Sequence, residues 1–109
     1  MSSIPLYATS APTREEVDAW TEPTLLEFGT DWCGHCQIAQ GPIAQALAAY
    51  PGVRRVKIED GRGRPLGRSF GVKLWPTLVF LKGHQEVARV VRPLNAQPVQ
   101  HALAKLAAA

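Results

Sequence analysis

Apolar residues fall into short runs separated by turn residues, with two longer stretches at helical spacing. Thr24-Leu25-Leu26-Glu27-Phe28-Gly29 is apolar at four of its six positions, which predicts a strand covered on both faces. Ile38, Ala39, Ile43, Ala46, Leu47 and Tyr50 then recur at helical spacing and predict a helix over 37–50 that packs one face on a sheet. Gly41-Pro42 interrupts that helix and predicts a kink near 38–42, because proline lacks the N–H of the helical ladder and crowds the preceding turn. Pro51-Gly52 ends it. A strand follows over 53–59, with Val56 and Ile58 on one face and Lys57 on the other.

The ends of the chain are patterned less strongly. Residues 4–8 read as a weak strand, and Thr13 with Glu16 has the spacing of a capping box before a short helix with Val17 and Trp20 on its apolar side. Residues 60–71 are irregular and lead into a short helix closing at Ser69-Phe70-Gly71-Val72. Pro76 heads the apolar run Leu78-Val79-Phe80-Leu81, where a residue that cannot donate to a ladder is tolerated. Lys82 to Gln85 predicts a turn, and 86–92 a hairpin partner whose inner side is marked by Val87, Val90 and Val91. Asn95 is placed to cap a last helix, with Pro98 in the first turn and Val99, Leu103 and Leu106 along one face.

With 109 residues, 46% hydrophobic and 19% charged, the chain fits a single globular domain over 1–109 that buries a core without staples. No apolar run is long enough to span a bilayer, so no membrane partner is expected. Residues 1–7 lack the basic start and apolar centre of an export signal, which points to the cytoplasm. A net charge of +3 is too small to argue for nucleic acid.

The chemistry gathers in Asp31-Trp32-Cys33-Gly34-His35-Cys36, which holds both cysteines of the chain. The pair stands where a strand hands over to a helix, and there unpaired N–H groups and the helix dipole favour an anion such as thiolate. Two cysteines three apart are close enough to form a disulfide or resolve a mixed one. In a reducing compartment such a pair points to redox chemistry. Two other readings stand beside it. A zinc site needs four ligands, and His35, His84 and His101 lack paired spacing. A structural disulfide closing so short a loop would constrain the unfolded chain little.

Two further features ask for a reason. Glu27 is a carboxylate within a doubly covered strand, where ionisation is costly; it either reaches the sheet edge or moves a proton for one of the sulfurs. Lys57 is placed to approach it from the next strand, or else stands solvated. Arg62, Arg64 and Arg68 form a basic stretch that reads as a solvated loop before a patch for an acidic partner or RNA. The glycines at 61, 63 and 67 do not match a dinucleotide fingerprint, and Pro65 removes an N–H that would cradle phosphate.

Trp32-Cys33-x-x-Cys36 after a strand, an acid six positions before the first cysteine and a proline at the head of a later strand together resemble the thioredoxin family. The resemblance spans nearly the whole chain. It implies an α/β fold with a central mixed sheet of four to five strands and helices on both faces. It implies a thiol-disulfide oxidoreductase in which Cys33 attacks a protein disulfide and Cys36 resolves the intermediate. Glu27 falls where the family has a buried acid, Lys57 at its lysine, and Pro76 at the cis proline facing the sulfurs. That bend would leave the Trp75 backbone open to an extended substrate, with Trp32, Gly34 and His35 completing the contact surface. The implied partners are protein disulfides and an upstream reductase or thiol donor, acting on a monomer with no cofactor beyond the cysteine pair.

The Gly34-His35 pair is similar to that of protein disulfide isomerases. A cationic imidazole beside Cys33 would favour the reduced pair and make the couple more oxidising, which leaves an oxidase or isomerase as an alternative. A binding module that keeps the fold without turnover is another. Gly29, where many members carry Trp, Arg92 in place of a groove glycine, and the large Trp75 are departures from the family pattern.

Overall fold

The structure is a computed structural model, and it describes residues 5–109. In chain order its elements are α1 (Arg14–Asp18), β1 (Thr24–Gly29), α2 (Gly34–Leu47), β2 (Arg54–Glu59), α3 (Pro65–Ser69), β3 (Thr77–Lys82), β4 (Gln85–Val91) and α4 (Gln97–Ala108). The strands form one four-stranded mixed sheet in the order β2-β1-β3-β4. β1 runs parallel to β2 and antiparallel to β3, and β4 closes the other edge antiparallel to β3.

The central position of β1 explains its composition. All six of its residues are buried, because helices cover both faces of the sheet at that point. Leu25 faces α2 and α4, packing with Ala39, Ile43, Ala46, Val99, Leu103 and Leu106. Leu26 and Phe28 face the opposite way, toward Val17 of α1 and toward Leu66 and Phe70 around α3. Glu27 therefore shares a face with Leu25 and points under α2, away from the sheet edge.

The expected elements are present with shifted ends. α2 begins at Gly34, three residues before the expected start at 37, and continues through Pro42 to Leu47. Gly34 and His35 carry no apolar signal, so periodicity alone misses the first turn. Thr13 and Glu16 form the full capping box of α1. The side chain of Asn95 accepts the N–H of Gln97 at 3.0 Å, serving the first turn of α4 from just outside the helix.

The expected strand over 4–8 is reduced to one parallel bridge between Ala8 and Ile58; Ile4 lies outside the described residues. The uneven pattern of β4 also has a cause. Phe80 pairs with Ala88 and Leu81 with Glu86, so Val87 is an extra residue that breaks the alternation. Val87 and Val90 still reach the core, while Val91 is exposed.

Leu103 joins α4 to α2 and the sheet and has no solvent exposure. Leu103→Ala is expected to lower unfolding stability by about 2–5 kcal/mol, through lost transfer energy and a cavity that closes only in part. Denaturant titration measures this, and an unchanged midpoint would contradict the packing described here.

Candidate active site

β1 ends at Gly29, and Thr30-Asp31-Trp32 turns the chain so that Cys33 becomes the N-cap of α2. Cys33 has an extended backbone (φ −80°, ψ 124°), and its Sγ accepts the N–H of Cys36 at 3.2 Å, in the position usually taken by a Ser or Asp oxygen. Its carbonyl accepts the N–H of Gln37 at 3.0 Å. Both cysteines are free thiols, but their surroundings differ. Cys33 is half-buried; Cys36, one turn into the helix, is 1% exposed. Burial, reinforced by the neighbouring Cys33 sulfur, pushes the Cys36 thiol up to about 12. The Thr30 backbone and the Tyr7 hydroxyl oppose that rise without cancelling it.

Beneath Cys36 lies a polar cluster built around Glu27, which has no solvent exposure. Oε1 of Glu27 accepts both Nε (3.0 Å) and an Nη (2.8 Å) of Arg55, and this forked pair anchors the carboxylate to β2. Oε2 accepts the Tyr7 hydroxyl at 2.6 Å and Nε2 of Gln40 at 2.9 Å. Gln40 also donates to the carbonyl of Cys36 at 2.8 Å and so ties the cluster to the turn of helix that carries the sulfur.

Lys57 is adjacent to Glu27 in strand register, as the sequence suggests, but its ammonium goes elsewhere. It donates to Oε1 of Gln40 at 2.8 Å and to the carbonyl of Pro5, and it lies 4.3 Å from the centre of the Tyr7 ring. Burial lowers its pKa, with Glu27 acting in the opposite sense. The ion pair expected of Lys57 is made instead by Arg55, two residues earlier on the same face of β2. Lys57 is linked to Glu27 through Gln40 and through the Tyr7 ring. Glu27 in turn makes its bonds to Tyr7, Gln40 and Arg55.

Above the cysteines the surface is aromatic. Trp32 is 73% exposed and meets Trp75 edge-on, with ring centres 5.8 Å apart. The Trp75 indole donates to Asp60 at 2.9 Å, which fixes the ring beside the loop after β2. The Trp75–Pro76 peptide is cis, and Pro76 is buried at the head of β3. The Trp75 carbonyl is not open as expected. It accepts Nε of Arg92 at 2.9 Å, from a residue held at φ 52° just after β4. Gly34 and His35 lie exposed in the first turn of α2.

Among the described residues, no group of three or more His, Cys, Asp or Glu side chains is gathered as a metal site requires. Of the arginines after β2, Arg64 pairs with Glu59 and donates to the carbonyl of Thr9, while Arg62 and Arg68 are exposed.

A thioredoxin family profile matches residues 5–105 of this chain. The chain belongs to the thioredoxin family. A thioredoxin from Synechocystis is 30% identical over 92 residues, covering 84% of this chain and 85% of the relative. Thioredoxin 2 of Pseudomonas aeruginosa, solved in its reduced form, is 53% identical and superposes with a TM-score of 0.86 over 96% of this chain and 98% of that one. Protein disulfide-isomerase erp38 of Neurospora crassa is 40% identical over 70 residues; these cover 60% of this chain and 19% of that longer protein. Membership makes the chain a thiol-disulfide oxidoreductase of thioredoxin fold, with its cysteine pair at the family's Cys-x-x-Cys position.

Four side chains of this thioredoxin-family site escape sequence reasoning. Arg55 is recoverable, since it shares the alternating face of Lys57, and Gln40 lies one helical turn beyond Cys36. Tyr7 and Asp60 carry no local signal, because their contacts join segments 20 and 15 residues apart.

The contrast between the sulfurs yields a direct expectation. Alkylation of the reduced protein near neutral pH should modify Cys33 and spare Cys36, whose labelling emerges only as pH climbs toward about 12. The folded-state value lies above the ordinary 9.0, so the unfolded chain ionises first. The reduced protein should accordingly lose stability as pH rises from about 9 to about 12. Equal labelling of both thiols at neutral pH would contradict the site described.

Proposed function

We propose that this domain, spanning residues 1–109, reduces protein disulfides as a cytoplasmic monomer, with Cys33 as attacking sulfur and Cys36 as resolving sulfur. Cys33 attacks one sulfur of a substrate disulfide, forms a mixed disulfide and expels the other substrate sulfur as a thiolate. Cys36 then attacks Cys33, closes the Cys33–Cys36 bond and releases the second substrate sulfur. The substrate gains two electrons and two protons, and the domain loses them. An upstream reductase or dithiol donor restores the pair. The electrons reside on the two sulfurs, so the cycle calls for no further cofactor.

The observation that carries this reading is the inequality of the sulfurs. One is reachable and capped by an N–H, while the other is buried and held as a thiol. A two-step exchange needs such an order, since premature attack by both sulfurs would compete. Trp32, Gly34, His35, Trp75 and Pro76 form the docking face around Cys33, and Glu27 and Lys57 act from beneath through Tyr7 and Gln40. Arg92 holds the Trp75 carbonyl, so an extended substrate pairing there must displace that guanidinium.

Insulin reduction with dithiothreitol as donor tests the proposal. The wild-type protein should precipitate insulin chains well ahead of the uncatalysed control, and Cys33→Ser should return the rate to the control. Equal rates for the two proteins would leave a docking module without turnover.

A further inference from the structure

The resolving step has a requirement that the cysteines alone do not meet. Cys36 must lose a proton before it can attack, yet it is 1% exposed and its thiol is held far above neutrality. Glu27 is the buried base beneath it, and the carboxylate's own bonds run to Arg55, Gln40 and Tyr7. The Tyr7 hydroxyl, on a side chain 4% exposed, donates to Oε2 of Glu27 at 2.6 Å.

Gly29 is what brings this hydroxyl to the sulfur. A Cβ at Gly29 would lie 2.5 Å from Sγ of Cys36, 2.8 Å from the Tyr7 hydroxyl oxygen and 2.9 Å from the ring carbon bearing it. Sulfur and hydroxyl therefore both border the small space that a side chain at Gly29 would fill, and the hydroxyl acts to lower the pKa of its sulfur neighbour. The Lys57 ammonium lies 4.3 Å from the centre of the ring, and the Tyr7 backbone N–H donates to Asp31 at 3.0 Å, which holds the residue in place.

Resting on the oxidoreductase reading, we propose that Tyr7 is a catalytic proton relay between the Cys36 thiol and the Glu27 carboxylate. The Cys36 S–H passes its proton to the Tyr7 oxygen while that hydroxyl passes its own to Oε2 of Glu27. The Cys36 thiolate attacks Cys33 of the mixed disulfide. The Cys33–Cys36 bond forms, and the substrate sulfur leaves with the electron pair of the broken bond and takes a proton from solvent. Tyr7 ends as it began, and Glu27 holds the proton until reduction of the pair reverses the path. Arg55 occupies Oε1 twice, which leaves Oε2 as the receiving oxygen.

Tyr7→Phe keeps the ring and removes the relay. Stopped-flow reaction of the reduced protein with dithiobis(nitrobenzoate) resolves both steps, because the first thionitrobenzoate released reports attack by Cys33 and the second reports displacement by Cys36. The first phase should stay within about twofold of wild type. The second should slow by about 10²-fold, the low end of what a positioned acid-base group supplies, and its solvent deuterium isotope effect should change. Glu27→Gln should slow the same phase, and the double variant should be no slower than the worse single one.

A second phase at the wild-type rate in Tyr7→Phe overturns the relay and leaves the oxidoreductase reading standing. So does an equal slowing of both phases, which marks a purely structural tyrosine. Failure of the wild-type protein to release thiolate in either phase removes the oxidoreductase reading and the relay together.

Discussion

Two sulfurs three residues apart on one helix cannot share an environment when the helix starts at the surface and runs inward. Cys33 sits at the cap, where its sulfur accepts an N–H, and Cys36 sits one turn down with β1 behind it. The rest of the site follows from that step in depth. Beside the outer sulfur, Trp32 meets Trp75, which precedes the cis Pro76, and the proposed substrate face is built there. The inner sulfur is 1% exposed and stands over the polar cluster built around Glu27, to which Gln40 ties its turn of helix.

That cluster has an energetic logic of its own. A carboxylate without solvent exposure persists in a core only when hydrogen bonds satisfy it, and Glu27 accepts four, from Arg55 twice, Tyr7 and Gln40. These partners come from β2, from the segment before α1 and from α2, so one side chain ties three parts of the chain to β1. Removing one member of such a pair leaves a buried charge uncompensated, which costs about 3–5 kcal/mol. The acid thus supports the architecture, and in the proposed relay it would also receive the Cys36 proton. A single substitution at Glu27 reads out both, whereas the Tyr7 hydroxyl separates them.

What was legible in the sequence was local. The Cys-x-x-Cys pair, the buried run of β1, the odd acid within it and the proline heading β3 each announce themselves within a few residues, and each stands where the pattern placed it. What stayed hidden depended on distance in the chain. Arg55 and Lys57 both point to the face under α2, and register alone does not tell that the arginine fork takes the carboxylate while lysine takes Gln40. Tyr7 became visible only through a missing side chain, since its place beside Cys36 is the volume left open at Gly29. The start of α2 lay ahead of its apolar pattern because Gly34 and His35 face solvent, and an extra residue at Val87 masked the alternation of β4.

The most direct test of the unequal sulfurs is covalent trapping. Cys36→Ser and Cys33→Ser, each incubated with an oxidised protein substrate and analysed by peptide mapping, report which sulfur engages the substrate. The account predicts a stable mixed disulfide through Cys33 in the first variant and no comparable adduct through Cys36 in the second. Equal trapping at the two positions, or trapping through Cys36 alone, would contradict it.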